Sequence, residues 1–217
     1  MKTIRLSVLV LLTFSAARAG TIFNVTLNTG PLIGHPAGPF SIAFEFADGS
    51  GIGDGNNAVF MSNFTFGASV PSGVPLTFGS VGGDLSSAVV MTDASPVSIF
   101  VQSFTPGSTL TFLLDMTTDV DAGGTPDEFI MSILDNTLTP IPTTAASPLS
   151  PFLQIDIDSS GPIVQTFSGD TTRLPAGGGG PIGIGQPAVS TAAPEPSTLL
   201  SALPILYIVW AKRRGAR

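Results

Sequence analysis

Phe40-Ser41-Ile42-Ala43-Phe44-Glu45-Phe46-Ala47 alternates large apolar side chains with small or polar ones. A period of two puts Phe40, Ile42, Phe44 and Phe46 on one face of an extended chain and Ser41, Ala43, Glu45 and Ala47 on the other. That is the pattern of a strand with one buried face. The alternation recurs on both sides of it. Phe23, Val25 and Leu27 alternate with Asn24, Thr26 and Asn28; Leu110, Phe112, Leu114 and Met116 oppose Thr109, Thr111 and Asp115. Further strands are expected at 57–66, 75–81, 86–92, 128–135, 152–158 and 163–168. Another is expected at 97–104, where Val97, Ile99 and Val101 back onto Phe100 and Phe104, as in a central strand. Turn-forming clusters separate them: Asp48-Gly49-Ser50-Gly51, Val81-Gly82-Gly83-Asp84, Pro106-Gly107, Ala122-Gly123-Gly124 and Ser160-Gly161-Pro162. No window carries a convincing amphipathic helix. Short strands at this spacing predict an all-β domain over residues 20–172, an antiparallel β-sandwich of jelly-roll-like kind.

The charges are unevenly placed. Of eight basic residues, only Arg173 lies between positions 20 and 193, an interval holding fourteen of the fifteen acidic ones. Fourteen minus one leaves that body near −13. Such a surface repels phosphate backbones, so nucleic acid is excluded as a partner. There is no cysteine, which removes disulfides, thiolate metal sites and cysteine nucleophiles together.

Both ends carry addresses. Lys2 and Arg5 precede an apolar run from Leu6 to Ala17, followed by Ala17-Arg18-Ala19 and Gly20. A basic start, an apolar core and an A-x-A exit make a secretory signal peptide over 1–19, cleaved between Ala19 and Gly20. Residues 173–193, rich in Gly and Pro, read as a flexible linker. Beyond it lie Pro194-Glu195-Pro196, an uncharged apolar stretch over 197–211, and Lys212-Arg213-Arg214. As a helix the apolar stretch spans about 22 Å, short of the roughly 30 Å hydrocarbon core. Snorkelling basic residues with interfacial Tyr207 and Trp210 can cover that mismatch. The basic cluster should stay cytoplasmic, leaving the body outside.

This order over residues 194–217 resembles the PEP-CTERM sorting signal of Gram-negative bacteria. The resemblance implies an inner-membrane-anchored precursor exported by the secretion translocon. It also implies processing by an exosortase, a membrane protease linked to exopolysaccharide export, and delivery to the cell surface or extracellular matrix. Pro194, Glu195 and Pro196, with Lys212, Arg213 and Arg214, would then be recognition residues.

Two loops concentrate oxygen ligands: Asp48-Gly-Ser-Gly-Ile-Gly-Asp54-Gly-Asn56-Asn57, and Asp119-Val-Asp121-Ala-Gly-Gly-Thr-Pro-Asp127-Glu128. Calcium takes six to eight oxygens, and glycines between Asp and Asn let a loop fold around it. Asp48 and Asp54 in the first loop, and Asp119, Asp121, Asp127 and Glu128 in the second, are therefore candidate calcium ligands. Neither loop has EF-hand spacing, and Asp, Asn and Gly also dominate ordinary turns.

Catalysis finds little support. The sole histidine is His35, between Gly34 and Pro36, and the body has no lysine to serve as a base. Asp156 and Asp158 share one face of an expected strand, but that face reads as solvent. Sugar platforms usually use Trp or Tyr, and the chain's single Trp and single Tyr both lie in the tail. The expected function is an exported β-sandwich, not an enzyme, with a structural or adhesive role in the envelope or exopolysaccharide matrix. The alternatives are a calcium-dependent carbohydrate-binding module and a carboxylate-pair glycan hydrolase.

Overall fold

A computed structural model describes residues 20–67, 70–121 and 125–192. The signal peptide, the Pro-Glu-Pro motif, the apolar stretch and the basic end therefore lie outside the described residues, apart from Gly20. Among the described residues no helix is long and apolar enough to cross a membrane.

Twelve strands form: β1 (Gly20–Asn28), β2 (Phe40–Ala47), β3 (Ala58–Thr65), β4 (Pro71–Phe78), β5 (Val81–Gly83), β6 (Ala88–Thr92), β7 (Val97–Phe104), β8 (Thr109–Thr117), β9 (Asp127–Leu134), β10 (Leu153–Asp158), β11 (Gly161–Thr166) and β12 (Ala188–Thr191). They make two six-stranded sheets, ordered β12-β1-β8-β3-β6-β5 and β11-β10-β9-β2-β7-β4. Neighbouring strands are antiparallel throughout. The β-sandwich expected from the alternating pattern is the architecture found.

The inward residues of β2 decide the packing. Phe40, Ile42, Phe44 and Phe46 are all buried against the facing sheet. Phe44 sits among Phe100, Phe112 and Phe129, with ring centroids 5.9, 5.7 and 5.8 Å away. Rings at such separations add to the burial of their large apolar area. β7 lies between β2 and β4, an interior position.

Three features extend or correct the sequence reading. β9 is buried on both faces, because residues 135–151 fold over its outer side: Ser132 Oγ donates to the Leu149 carbonyl at 2.8 Å. β4 begins at Pro71 rather than at 75, and its pairing with β7 shifts register between Ser72 and Leu76. That stretch holds Gly73, at φ 72°, and Pro75, which has no amide hydrogen to donate to a ladder.

The third, a correction, concerns 173–193. Residues 173–192 are packed, not a free linker. Ile182 and Ile184 are buried in the core, and β12 pairs with β1. The strap's polar groups are met by the body. Gly177 N donates to Asp135 Oδ2 at 2.6 Å, and Gly169 N donates to the Ile184 carbonyl at 2.8 Å. His35 Nε2 lies 3.1 Å from the Gly180 carbonyl while Nδ1 accepts from Ala37 N, so the lone histidine is a structural clip.

Candidate metal centre

Three connections cross between the sheets at one end of the sandwich: β2 to β3, β6 to β7 and β8 to β9. The ladders force them together. Ala47, at the end of β2, pairs with both Val97 and Glu128, while Ala58 pairs with Thr92 and Val59 with Met116. The two acidic loops are the first and third of these connections, so one cluster forms instead of two separate sites.

Their backbones touch. A Cβ on Gly49 would lie 2.2 Å from the Thr125 carbonyl oxygen, closer than any side chain allows. Gly53 adopts φ 74°, and a Cβ there would meet the Ala94 carbonyl oxygen at 2.9 Å. Glycine is required at both positions, by close approach at the first and by both approach and left-handed backbone at the second.

Asp48, Asp121 and Asp127 each contribute a carboxylate oxygen, and the three atoms lie within 4.8 Å of one another. Asp48 and Asp127 are buried. Asp48 accepts from Ser50 N at 2.7 Å, from Ser50 Oγ at 3.0 Å and from Gly53 N. Burial raises its pKa, but these hydrogen bonds outweigh it and hold the carboxylate below its ordinary range. Asp127 accepts from Gly49 N at 2.8 Å through Oδ1 and from Asn57 Nδ2 at 2.7 Å through Oδ2. Asp121 accepts from Asn56 Nδ2 through Oδ1, while its Oδ2 is buried with no hydrogen-bond partner. Burial, with the charges of Asp127, Asp54 and Asp48, raises its pKa against the Asn56 bond.

Two further residues complete the site: Asp93, which was not read from the sequence as part of it, and Asn57, which closes the first oxygen-rich loop. Asp93, in the β6–β7 connection, is fully buried beside Asp127. Its Oδ2 accepts from Asn57 N at 2.9 Å, and its Oδ1 has no partner. Desolvation, and then the Asp127 charge, push its pKa up to about 7, against the Asn57 amide bond. Asn57, also buried, joins the three loops. Its Nδ2 lies 2.6, 2.7 and 2.8 Å from the Asp119 carbonyl, Asp127 Oδ2 and Asn56 Oδ1, and its Oδ1 accepts from Thr117 Oγ1 and Asp119 N. The available signal was Asp93 itself, an acidic residue between two apolar strands in a four-residue connection.

Other expected ligands stand differently. Asp119 reaches Asn57 through its main chain. Asp54 Oδ1 accepts from Asn56 N at 3.1 Å, and its charge acts on Asp93 and Asp121 from the rim. Glu128 is a correction: adjacent strand residues point to opposite faces, so Asp127 turns inward and Glu128 outward. Glu128 pairs across the outer face with Asp156, and burial, then the charges of Asp156 and Glu45, raise its pKa. Asp156 is further held by Gln154 and Gln165, and Asp158 caps the turn at Ser159-Ser160.

No basic side chain of the described residues neutralises the cluster. Arg173 is the single one they contain, and it is engaged with Asp170 and the Thr143 carbonyl. No protein-family model, curated protein or solved structure matches this chain.

Proposed function

We propose that this chain is an exported β-sandwich with a structural or adhesive role in the envelope or exopolysaccharide matrix, and that its C-terminal tail is an exosortase substrate. The observation that carries the reading is the extent of the packed body. It runs from Gly20 to the end of β12 at Thr191, filling the interval between the two expected addresses with one core. The interleaved strand order, β1-β8-β3-β6 facing β2-β7-β4, supports a jelly-roll-like sandwich. His35 serves as a clip and Asp156 is tied to glutamines, which favours a scaffold over a reaction centre.

The sorting reading is tested in a Gram-negative host with an exosortase. Changing Pro194, Glu195 and Pro196 to alanine should leave an unprocessed, membrane-retained form. A variant that reaches the wild-type location at the wild-type mass would sink it.

A second reading, a calcium-dependent carbohydrate-binding module, is favoured by the meeting of the two acidic loops. It requires glycan binding that EDTA abolishes, and a flat glycan array with calcium present would remove it.

A further inference from the structure

We propose that a single calcium ion binds where the β2–β3, β6–β7 and β8–β9 connections meet, held directly by Asp48, Asp121 and Asp127, with Asp93 as the fourth carboxylate of the cluster. The inference rests on this cluster and holds whether or not the body binds sugar. It supplies the metal that the second reading above requires.

Acidic residues gathered at a sheet end are common, and turn hydrogen bonds can account for them. Two orphaned oxygens distinguish this cluster. Asp121 Oδ2 is one of them, in the three-carboxylate group itself, and it is buried without a donor. Asp93 Oδ1 is the other, on a fully buried side chain lying against Asp127. A buried carboxylate oxygen with neither donor nor counter-charge is costly, and native structures pair such groups or give them a metal. Asn57, the amide that joins the three connections, has no proton left to do so. The Asn57 amide nitrogen has two protons and already faces three oxygens within 2.8 Å.

The distances and donors fit calcium. With metal–oxygen bonds of about 2.3–2.6 Å, two oxygens across one ion lie at most about 5 Å apart. The three carboxylate oxygens, within 4.8 Å of one another, meet that bound. An all-oxygen, carboxylate-rich set suits a hard cation, and the chain offers neither thiolate nor a second imidazole for zinc. The ligands come from connections joining opposite sheets, so one ion would tie the sheets at this end. No single connection supplies all three of the clustered carboxylates.

The test uses the full chain purified in mild detergent, stripped with EDTA and titrated with calcium chloride by calorimetry. Circular dichroism melts accompany it, because the described residues contain no Trp or Tyr. One ion per chain should bind, with Kd of roughly 0.1–1 mM, as in extracellular calcium modules. At a concentration about a hundredfold above Kd the melting temperature should rise by about 5 °C or more and fall back in EDTA. D121N, which keeps an acceptor for Asn56, should melt higher than wild type in EDTA, since a repelling charge is gone, and should lose the calcium response. D93N is the second probe, with the same expected signs. E128Q, one residue from Asp127 but on the outer face, should bind calcium as wild type does. No heat and no melting shift in wild type at 10-fold above the expected Kd would overturn the proposal. So would two ions per chain, an unchanged response in D121N and D93N, or magnesium acting as well as calcium.

Discussion

Asp135 is fully buried, yet it accepts four hydrogen bonds: from Thr137 N, Thr137 Oγ1, Thr139 N and Gly177 N. Burial raises its pKa, but these bonds outweigh it and the net shift is downward. Asp135→Asn keeps the shape and loses the charge, turning an amide group toward donors. We expect a loss of about 2–3 kcal/mol in urea unfolding. The pH dependence has a definite sign. An unfolded Asp titrates at about 3.9, and the folded carboxyl titrates lower. Its stabilisation is therefore complete above about pH 4 and is lost as pH falls through the folded value. Acid unfolding below about pH 4 should accordingly be shallower in Asp135→Asn. The same scale explains what could be read of the site. Asp48, Asp121 and Asp127 stand out in sequence because they belong to two acidic stretches that contain glycines. Asp93 does not, because its role comes from strands that pair far apart in the chain. Glu128 misleads only by adjacency, since a one-residue step in a strand reverses the face.

The strap formed by residues 173–187 had no period to betray it. Its Gly and Pro content matches a tether, and composition says nothing about what a chain packs against. The legible trace was Ile182-Gly-Ile184, two apolar residues at strand spacing in an otherwise small-residue stretch. Ile184→Ala is expected to cost about 2–4 kcal/mol in denaturant unfolding, as for other buried isoleucines. A tether would tolerate that change within about 0.5 kcal/mol. The strands of the core were the readable part: β1, β2 and β8 each alternate cleanly, and β7 is apolar on both faces. β4 was read with the wrong start because Gly73 and Pro75 interrupt its ladder, and β12 was missed because four small residues carry no pattern.

At the scale of the molecule, fourteen carboxylates against one guanidinium over residues 20–193 make a body that repels itself. Screening should relieve this, since the Debye length falls from about 30 Å at 0.01 M salt to about 10 Å at 0.1 M. Sodium chloride is therefore expected to raise the melting temperature gradually, without saturation. A calcium effect of the proposed kind would saturate at millimolar concentration, on top of that slope and at constant ionic strength. A flat sodium series would show that repulsion among the carboxylates is small beside the local hydrogen bonds that stabilise each charge. Asp84, Asp158 and Asp170 each accept bonds from following Ser or Thr residues, which lower their pKa values.

The edge ladder of β12 on β1 also fixes the end at which β12 finishes. Gly20 pairs with Thr117, whose hydroxyl bonds Asn57 in the acidic cluster. Thr191 pairs with Phe23, and Ala192 N donates to the Ile22 carbonyl at 2.7 Å. The chain thus leaves the body near the same end as the acidic crossovers. A protein suspended by its C-terminal tail would turn that end toward its anchor. The opposite tip, where Thr29 bonds Gly107 and Ser108, would be the part presented to neighbours.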